Sequence, residues 1–115
     1  MVPDLNVYGE PEGDLLVVGW GGTLGHLETA VREMKGRGFK IGLAHFNYIK
    51  PLPANVAEVF GRFKKIVVCE LNLGQFASYL RNSVPGFSYH QYNKVQGLPF
   101  TVQELTQNFE KLIKE

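Results

Sequence analysis

Residues 14–19 read DLLVVG, and this stretch decides the fold because its four central side chains are all apolar. A strand that packs on one face alternates apolar and polar residues, whereas a strand covered on both faces is continuously apolar. The same pattern returns at residues 40–46 (KIGLAHF) and 65–71 (KIVVCEL), at a spacing of roughly 25 residues. This spacing is typical of strand–helix–strand crossovers, so it predicts a mainly parallel sheet with helices on both faces.

Helical periodicity fills the connections between these strands. Residues 24–35 form an amphipathic pattern, and its apolar face contains Leu24, Leu27, Val31 and Met34. A second helix is predicted to begin at Pro53, because proline is favoured in the first turn of a helix. Its buried stripe is predicted to contain Val56, Val59, Phe60 and Phe63. A third helix is predicted over residues 74–82.

Weaker signals at the two ends complete the fold. Residues 87–92 are predicted to form a strand that is more polar than the other three, which favours a position near the sheet edge. The isolated residues 5–9 could add one further edge strand. Thr101 with Glu104 three residues later is a capping box, which predicts a closing helix. Together the elements predict an α/β fold, a three-layer α/β/α sandwich.

Composition limits the classes of protein. The chain has 115 residues, of which 44% are apolar, enough for one compact domain. Its 12 Lys and Arg against 11 Asp and Glu give a net charge of +1, which disfavours nucleic acid as a partner. It lacks an apolar run of the roughly 18 residues that a membrane span needs, and its start does not resemble a signal peptide. We expect a soluble, cytoplasmic protein with no membrane partner.

A glycine-rich turn follows the first apolar strand, at residues 19–25 (GWGGTLG). Such a turn can direct backbone N–H groups at an anion, which suggests a nucleotide site at Gly21, Gly22 and Thr23. A dinucleotide fingerprint starting at Gly19 would need glycine where Leu24 stands. The favoured interpretation is a tight turn that packs the helix on the sheet, and the alternative is an autonomous module that binds an anion or nucleotide there.

Cysteine and histidine do not form a recognisable site. Cys69 lies within an apolar run and is predicted to be a small buried hydrophobe. His26, His45 and His90 share no spacing that would make a metal site. The residues themselves therefore suggest no catalytic thiol and no metal ligand.

The turn after the third apolar strand is more informative. Glu70, Asn72 and Gln75 follow the carboxyl end of that strand, where parallel sheets form ligand clefts. Glu70 and Asn72 could line a cleft or an interface, or they could bond free N–H groups at the start of the next helix. The structural role is the favoured interpretation.

Four motifs in order carry a family resemblance. They are LLVVGWGGTLG at residues 15–25, H-x-x-Y-I-x-P-L-P at 45–53, VVCELNLGQF at 67–76 and YNKVQGLPFT at 92–101. Together they cover nearly all of the chain. The sequence resembles the carboxyl-terminal domain of the alpha subunit of 2-oxoacid:ferredoxin oxidoreductases, in particular the 2-oxoglutarate enzyme.

The resemblance implies the fold of the transketolase carboxyl-terminal domain, a five-stranded mixed, mostly parallel sheet with helices on both faces. Residues 5–9 would then be its antiparallel edge strand. Residues 1–115 would form a single domain of this kind, cut from a longer subunit, because the family's other alpha-subunit domains are missing from the sequence.

The resemblance also implies a function in context. The parent oxidoreductase converts a 2-oxoacid and coenzyme A to acyl-coenzyme A, carbon dioxide and reduced ferredoxin, using thiamine diphosphate, magnesium and an iron–sulfur cluster. This domain would be structural, inactive alone and without a cofactor. Its one cysteine cannot hold an iron–sulfur cluster. Its partners would be the rest of the alpha subunit, the beta subunit and, through the complex, ferredoxin. No catalytic, cofactor-binding or metal-binding residue is carried over.

Two surfaces follow as candidate sites. In the implied strand order the strands ending at Gly19 and Leu71 are neighbours, so a crevice is predicted between their loops. Its candidate residues are Gly21, Gly22, Thr23, Glu70, Asn72 and Gln75. A separation of the two loops above about 15 Å would contradict that crevice. Side chains near strand ends are also expected to form an exposed domain interface, with the candidates Trp20, Tyr48 and Ile49.

Overall fold

The computed structural model describes residues 3–20, 24–47, 52–70, 74–94 and 99–115. The strands are β1 (Val7–Gly9), β2 (Gly13–Trp20), β3 (Ile41–Phe46), β4 (Phe63–Glu70) and β5 (Tyr89–Asn93). The helices are α1 (Leu24–Gly36), α2 (Val56–Phe60), α3 (Gln75–Ser83) and α4 (Val102–Lys114). Among these described segments, no helix is long and apolar enough to span a membrane.

The strands form one five-stranded sheet in the order β1-β3-β2-β4-β5. β1 pairs antiparallel with β3, and the other neighbours are parallel. Leu15 of β2 aligns with Ile41 of β3 on one side and with Lys65 of β4 on the other. The predicted mixed sheet with an antiparallel edge strand is confirmed, although β1 is shorter than residues 5–9.

Two hydrophobic cores lie on opposite faces of the sheet. Leu16 and Val18 of β2 pack into the core under α2 and α3, whereas Leu15 and Val17 pack into the core under α1 and α4. Because β2 is covered on both faces, it needs apolar side chains at consecutive positions. The three-layer sandwich predicted from residues 14–19 is confirmed.

The predicted second helix is wrong in two respects. α2 begins at Val56 instead of Pro53, and Phe63 is the first residue of β4, where it pairs with Gly13. The Asn55 side chain accepts from the Leu5 N–H at 2.7 Å and donates to the Leu5 carbonyl at 3.0 Å, so it holds the N-terminal segment instead of capping the helix. The helix has five residues, which leaves Phe63 buried in the sheet.

α4 begins as predicted. The Thr101 hydroxyl accepts from the Glu104 N–H at 3.1 Å, and the Glu104 carboxylate accepts from the Thr101 N–H at 3.4 Å, which confirms the capping box. At the other end, the Lys65 ammonium donates to the Leu112 carbonyl at 2.6 Å. A lysine from the central sheet thus satisfies a carbonyl in the last turn of the helix.

Lys94 connects this cap to the sheet. Its backbone N–H donates to the Glu70 carbonyl at 2.8 Å, and its ammonium donates to both Glu104 carboxylate oxygens at 2.5 and 2.6 Å. The hydrogen bond from Lys94 is the largest cause that lowers the pKa of Glu104 below its ordinary value, and the bond from Thr101 adds to it, while desolvation opposes both. Glu104 therefore stabilises the folded chain as a carboxylate.

Acidification should weaken this attachment of α4. A carboxyl group with a lowered pKa in the folded state contributes stability above its unfolded pKa and loses it as the pH falls through the folded pKa. We expect the thermal unfolding midpoint of Glu104→Gln to fall less than that of the wild type when the pH drops below 4.5, the ordinary pKa of this group. Glu110→Gln, on the same helix, should keep the wild-type dependence. Equal slopes for Glu104→Gln and the wild type would contradict this role.

Candidate functional site

The candidate site lies where β2 and β4 end side by side. β3 lies on the other side of β2, so the chain reverses direction between these two central strands, as the family resemblance implies. α1 follows β2 on one face of the sheet, and α3 follows the carboxyl end of β4 on the other. Open α/β sheets bind ligands or partners at such a switch point.

Glu70, the last residue of β4, is 1% exposed. One carboxylate oxygen accepts from the Phe76 N–H at 2.8 Å, and the other accepts from the Ala77 N–H at 3.0 Å. These are N–H groups of the first turn of α3, which have no partner within the helix. The negative charge also lies at the positive end of the helix dipole. Glu70 therefore caps α3 from the preceding strand.

Gly74 makes this capping geometry possible. It precedes α3 with a left-handed φ of 87° and offers no side-chain cap of its own. A Cβ at this position would lie 3.0 Å from the Gln91 Oε1 atom and 3.1 Å from the Asn93 Nδ2 atom. Both the conformation and the close approach to β5 favour glycine. The helix can thus begin at Gln75, with the Phe76 and Ala77 N–H groups within reach of Glu70.

Trp20 packs against the same helix start. It is the last residue of β2, and its ring centroid lies 5.8 Å from that of Phe76. Phe76 in turn contacts Phe46 in the core, with ring centroids 5.2 Å apart. Trp20 is 37% exposed, so part of its ring faces outward from a rigid support. The structure therefore brings Trp20, Phe76 and the Glu70 cap into one arrangement.

Several predicted site residues lie outside the described part of the chain. They are Gly21, Gly22, Thr23, Tyr48, Ile49 and Asn72. The separation of the two crevice loops and the exposure of Tyr48 and Ile49 therefore stay predictions. Gln75 is exposed as the first residue of α3.

The sequence pattern predicted the wrong burial for Leu24 and did not predict the contact that Phe76 makes with Trp20. Leu24 was expected on the buried face of α1, but it is 39% exposed, whereas Leu27, Val31 and Met34 are buried. Leu24 is the first residue of α1, and helical periodicity cannot show that a helix end extends past its core. The contact of Phe76 with Trp20 was not predicted, since it depends on the pairing of β2 with β4.

The site contains no reactive thiol. Cys69 is fully buried, as predicted, and burial raises its pKa far above the ordinary value, with the neighbouring Glu70 carboxylate as a second cause. The thiol is therefore protonated at neutral pH and is a poor nucleophile or metal ligand. Within the described residues, no group of three or more His, Cys, Asp or Glu side chains could hold a metal ion.

The cofactors that the resemblance implies can be tested against these residues. An iron–sulfur cluster needs several thiolates, and the chain has one cysteine. Magnesium at a diphosphate needs carboxylate or similar oxygen ligands, but both Glu70 oxygens accept backbone N–H groups. The described residues do not fit either group.

A protein family matches residues 13–105, and its description is pyruvate:ferredoxin oxidoreductase core domain II. The chain belongs to this family. Over 106 residues it is 42% identical to 2-oxoglutarate oxidoreductase subunit KorA of Mycobacterium tuberculosis. Over 112 residues it is 30% identical to the alpha subunit of 2-oxoacid:ferredoxin oxidoreductase 1 of Aeropyrum pernix. The matches cover 90% and 93% of this chain, but 16% and 17% of the relatives, so it spans about one sixth of their length.

One solved structure agrees with this family, and a second agrees with the fold alone. The chain matches 2-oxoglutarate:ferredoxin oxidoreductase from Magnetococcus marinus with a TM-score of 0.90 and 26% identity, over 97% of this chain and 20% of that one. That structure contains bound 2-oxoglutarate, coenzyme A and succinyl-CoA. The alpha chain of a probable 2-oxoacid ferredoxin oxidoreductase from Thermoplasma acidophilum matches at 0.67 and 20% identity, over 97% of this chain and 98% of that one.

A split-gene transketolase also matches, with a TM-score of 0.67 and 16% identity, over 95% of this chain and 41% of that one. At that identity the similarity concerns the fold alone. It agrees with the transketolase-like architecture expected from the sequence, so the fold class is confirmed.

Proposed function

We propose that residues 1–115 are one architectural domain of a longer alpha subunit in a thiamine diphosphate-dependent 2-oxoacid:ferredoxin oxidoreductase. The parent enzyme converts 2-oxoglutarate and coenzyme A to succinyl-coenzyme A, carbon dioxide and reduced ferredoxin. The observation that carries the proposal is the TM-score of 0.90 against one fifth of a 2-oxoglutarate enzyme chain. The 42% identity to KorA supports the same substrate.

The domain itself holds no catalytic group in this proposal. Its buried carboxylate caps a helix, and its one thiol is buried and protonated. Thiamine diphosphate, magnesium and the iron–sulfur cluster bind to other parts of the parent complex, which lies in the cytoplasm. The domain contacts the rest of the alpha subunit, and the complex also contains the beta subunit and receives ferredoxin.

The strand ends supply the contact surface. Trp20 packs against Phe76 at the capped start of α3 and is 37% exposed. We propose that this surface, together with Tyr48, Ile49 and the crevice, packs against a neighbouring domain. The crevice residues of this proposal are Gly21, Gly22, Thr23, Asn72 and Gln75, while Glu70 is buried and supports the crevice by capping α3.

The isolated chain should not bind the coenzyme. We expect calorimetric titration with thiamine diphosphate and magnesium to give no saturable heat. The Glu70 carboxylate already accepts two backbone N–H groups, and the Cys69 thiol is buried and protonated. Circular dichroism would check in parallel that the chain is folded. Saturable binding at micromolar concentration would contradict an architectural role and favour an autonomous module with a ligand at its glycine-rich turn.

A further inference from the structure

A groove lies at the carboxyl end of β3, away from the Glu70 cap. Two adjoining cavities of about 340 and 110 Å³ share Asn6, His45 and Asn47 in their linings. Tyr8 of β1 and Leu24 of α1 line the larger cavity. We call the larger cavity with these five residues the β3 groove.

The β3 groove combines apolar side chains with amide and imidazole groups. Tyr8 and Leu24 are each 39% exposed at its rim, and Asn6 and Asn47 offer amide groups beside them. Among the described residues that line the larger cavity, none is Lys, Arg, Asp or Glu. Such a lining is poorly suited to a phosphorylated ligand, which needs positive charge. It suits a polypeptide loop that inserts an apolar side chain while its backbone bonds to amides.

The β3 groove and Trp20 lie at the same edge of the sheet but on opposite faces, because the groove residue Leu43 belongs to the core under α1 and α4 whereas the Trp20 ring contacts Phe76 of α3. Trp20 pairs with Phe46 at the end of β3, next to the groove residues His45 and Asn47. In the described part of the chain, Tyr8, Trp20 and Leu24 are the large apolar side chains that are exposed. Tyr8 and Leu24 both line the groove, and exposed apolar side chains grouped in this way mark an interaction surface in a globular domain.

We propose that the β3 groove binds an uncharged loop, with an apolar side chain at its tip, from another domain of the same alpha subunit. This inference rests on the proposed function. An occupant within the same subunit is favoured because the family relatives are about six times longer than the segment that matches this chain. Contacts between domains of one chain are formed by such mixed apolar and polar surfaces.

The test uses a chimera, in which this chain replaces the matching segment of KorA. In the isolated chain, Leu24→Glu should not lower the thermal unfolding midpoint, because the first turn of α1 contains no acidic residue and a carboxylate there is favourable. In the chimera the same carboxylate would be buried at the interface without a partner. We expect trypsin to cleave the Leu24→Glu chimera at least about tenfold faster than the unsubstituted chimera. A factor of ten corresponds to about 1.4 kcal/mol.

Two further variants make the comparison specific. Tyr8→Thr removes the other rim side chain and keeps a residue that favours strands, so it should also accelerate cleavage of the chimera. Gln107→Glu adds the same charge on an exposed position of α4 and should change neither protein.

Reduction of a dye that depends on 2-oxoglutarate reports on the proposed function, whereas cleavage reports on the β3 groove. An active chimera in which both rim variants are cleaved at the unsubstituted rate would overturn the groove inference alone. An inactive or unfolded chimera would overturn both. An isolated chain that dimerises, and becomes monomeric with Leu24→Glu, would show that a second copy fills the groove and would overturn the inference.

Discussion

Glu70→Ala should lower the free energy of unfolding by about 2–6 kcal/mol, since it leaves two buried donors without a partner and each costs about 1–3 kcal/mol. The two donors are the Phe76 and Ala77 N–H groups, which the carboxylate accepts at 2.8 and 3.0 Å. Urea unfolding of the isolated chain would measure the loss. The effect is large because Glu70 is 1% exposed, so water cannot replace the carboxylate without entering the core.

Two control variants separate capping from general loss of charge. Glu70→Gln keeps one carbonyl acceptor but directs an NH2 group at the other donor, so we expect an intermediate loss. Glu58→Ala removes an exposed carboxylate that pairs with Arg62, and such pairs contribute roughly 0–1 kcal/mol. A Glu70→Ala variant no less stable than Glu58→Ala would show that the cap is not needed for folding.

Phe46→Ala should cost about 3–5 kcal/mol, the range for removal of a buried aromatic side chain. Phe46 is 1% exposed at the end of β3, and its ring centroid lies 6.3 Å from that of Phe60 and 5.2 Å from that of Phe76. The cavity would open beneath the ring that supports Trp20. The chain has one tryptophan, so its fluorescence reports on this region alone.

Phe46→Leu is the matched control, because it keeps an apolar side chain and leaves a smaller cavity. We expect its loss of stability to be well below that of Phe46→Ala, and its native fluorescence to stay close to that of the wild type. An Ala variant with unchanged stability and emission would contradict the contact from Phe46 through Phe76 to Trp20.

The sequence predicts the layers of this fold well because burial on both faces leaves a direct signal. Residues 15–18 are continuously apolar, and β2 has a core on each side. Local chemistry also predicts the start of α4, where Thr101 and Glu104 are three residues apart and bond to each other.

Other features depend on tertiary contacts that periodicity does not record. The spacing of Phe63 fits a helical stripe, but its pairing with Gly13 places it in β4. Asn55 bonds to Leu5, 50 residues earlier in the chain, and this sets where α2 begins. Leu24 has the right phase for the core but lies at an end of α1.

The sequence predicted where the candidate site lies better than it predicted the contacts within that site. A strand end with Glu70 next to a helix start suggests either a cleft residue or a cap, and only the distances to Phe76 and Ala77 decide for the cap. The adjacency of β2 and β4 came from the family resemblance, since the residue pattern does not encode strand order. The contact between Trp20 and Phe76 follows from that adjacency.

We infer that this chain is an interchangeable structural domain of a 2-oxoglutarate-oxidising subunit. The most direct measurement is dye reduction by the KorA chimera, purified with the subunit that pairs with KorA, in the presence of 2-oxoglutarate, coenzyme A and thiamine diphosphate. We expect reduction that requires both 2-oxoglutarate and coenzyme A, while the isolated chain gives none. A folded, assembled chimera without this activity, or dye reduction by the isolated chain, would contradict the claim.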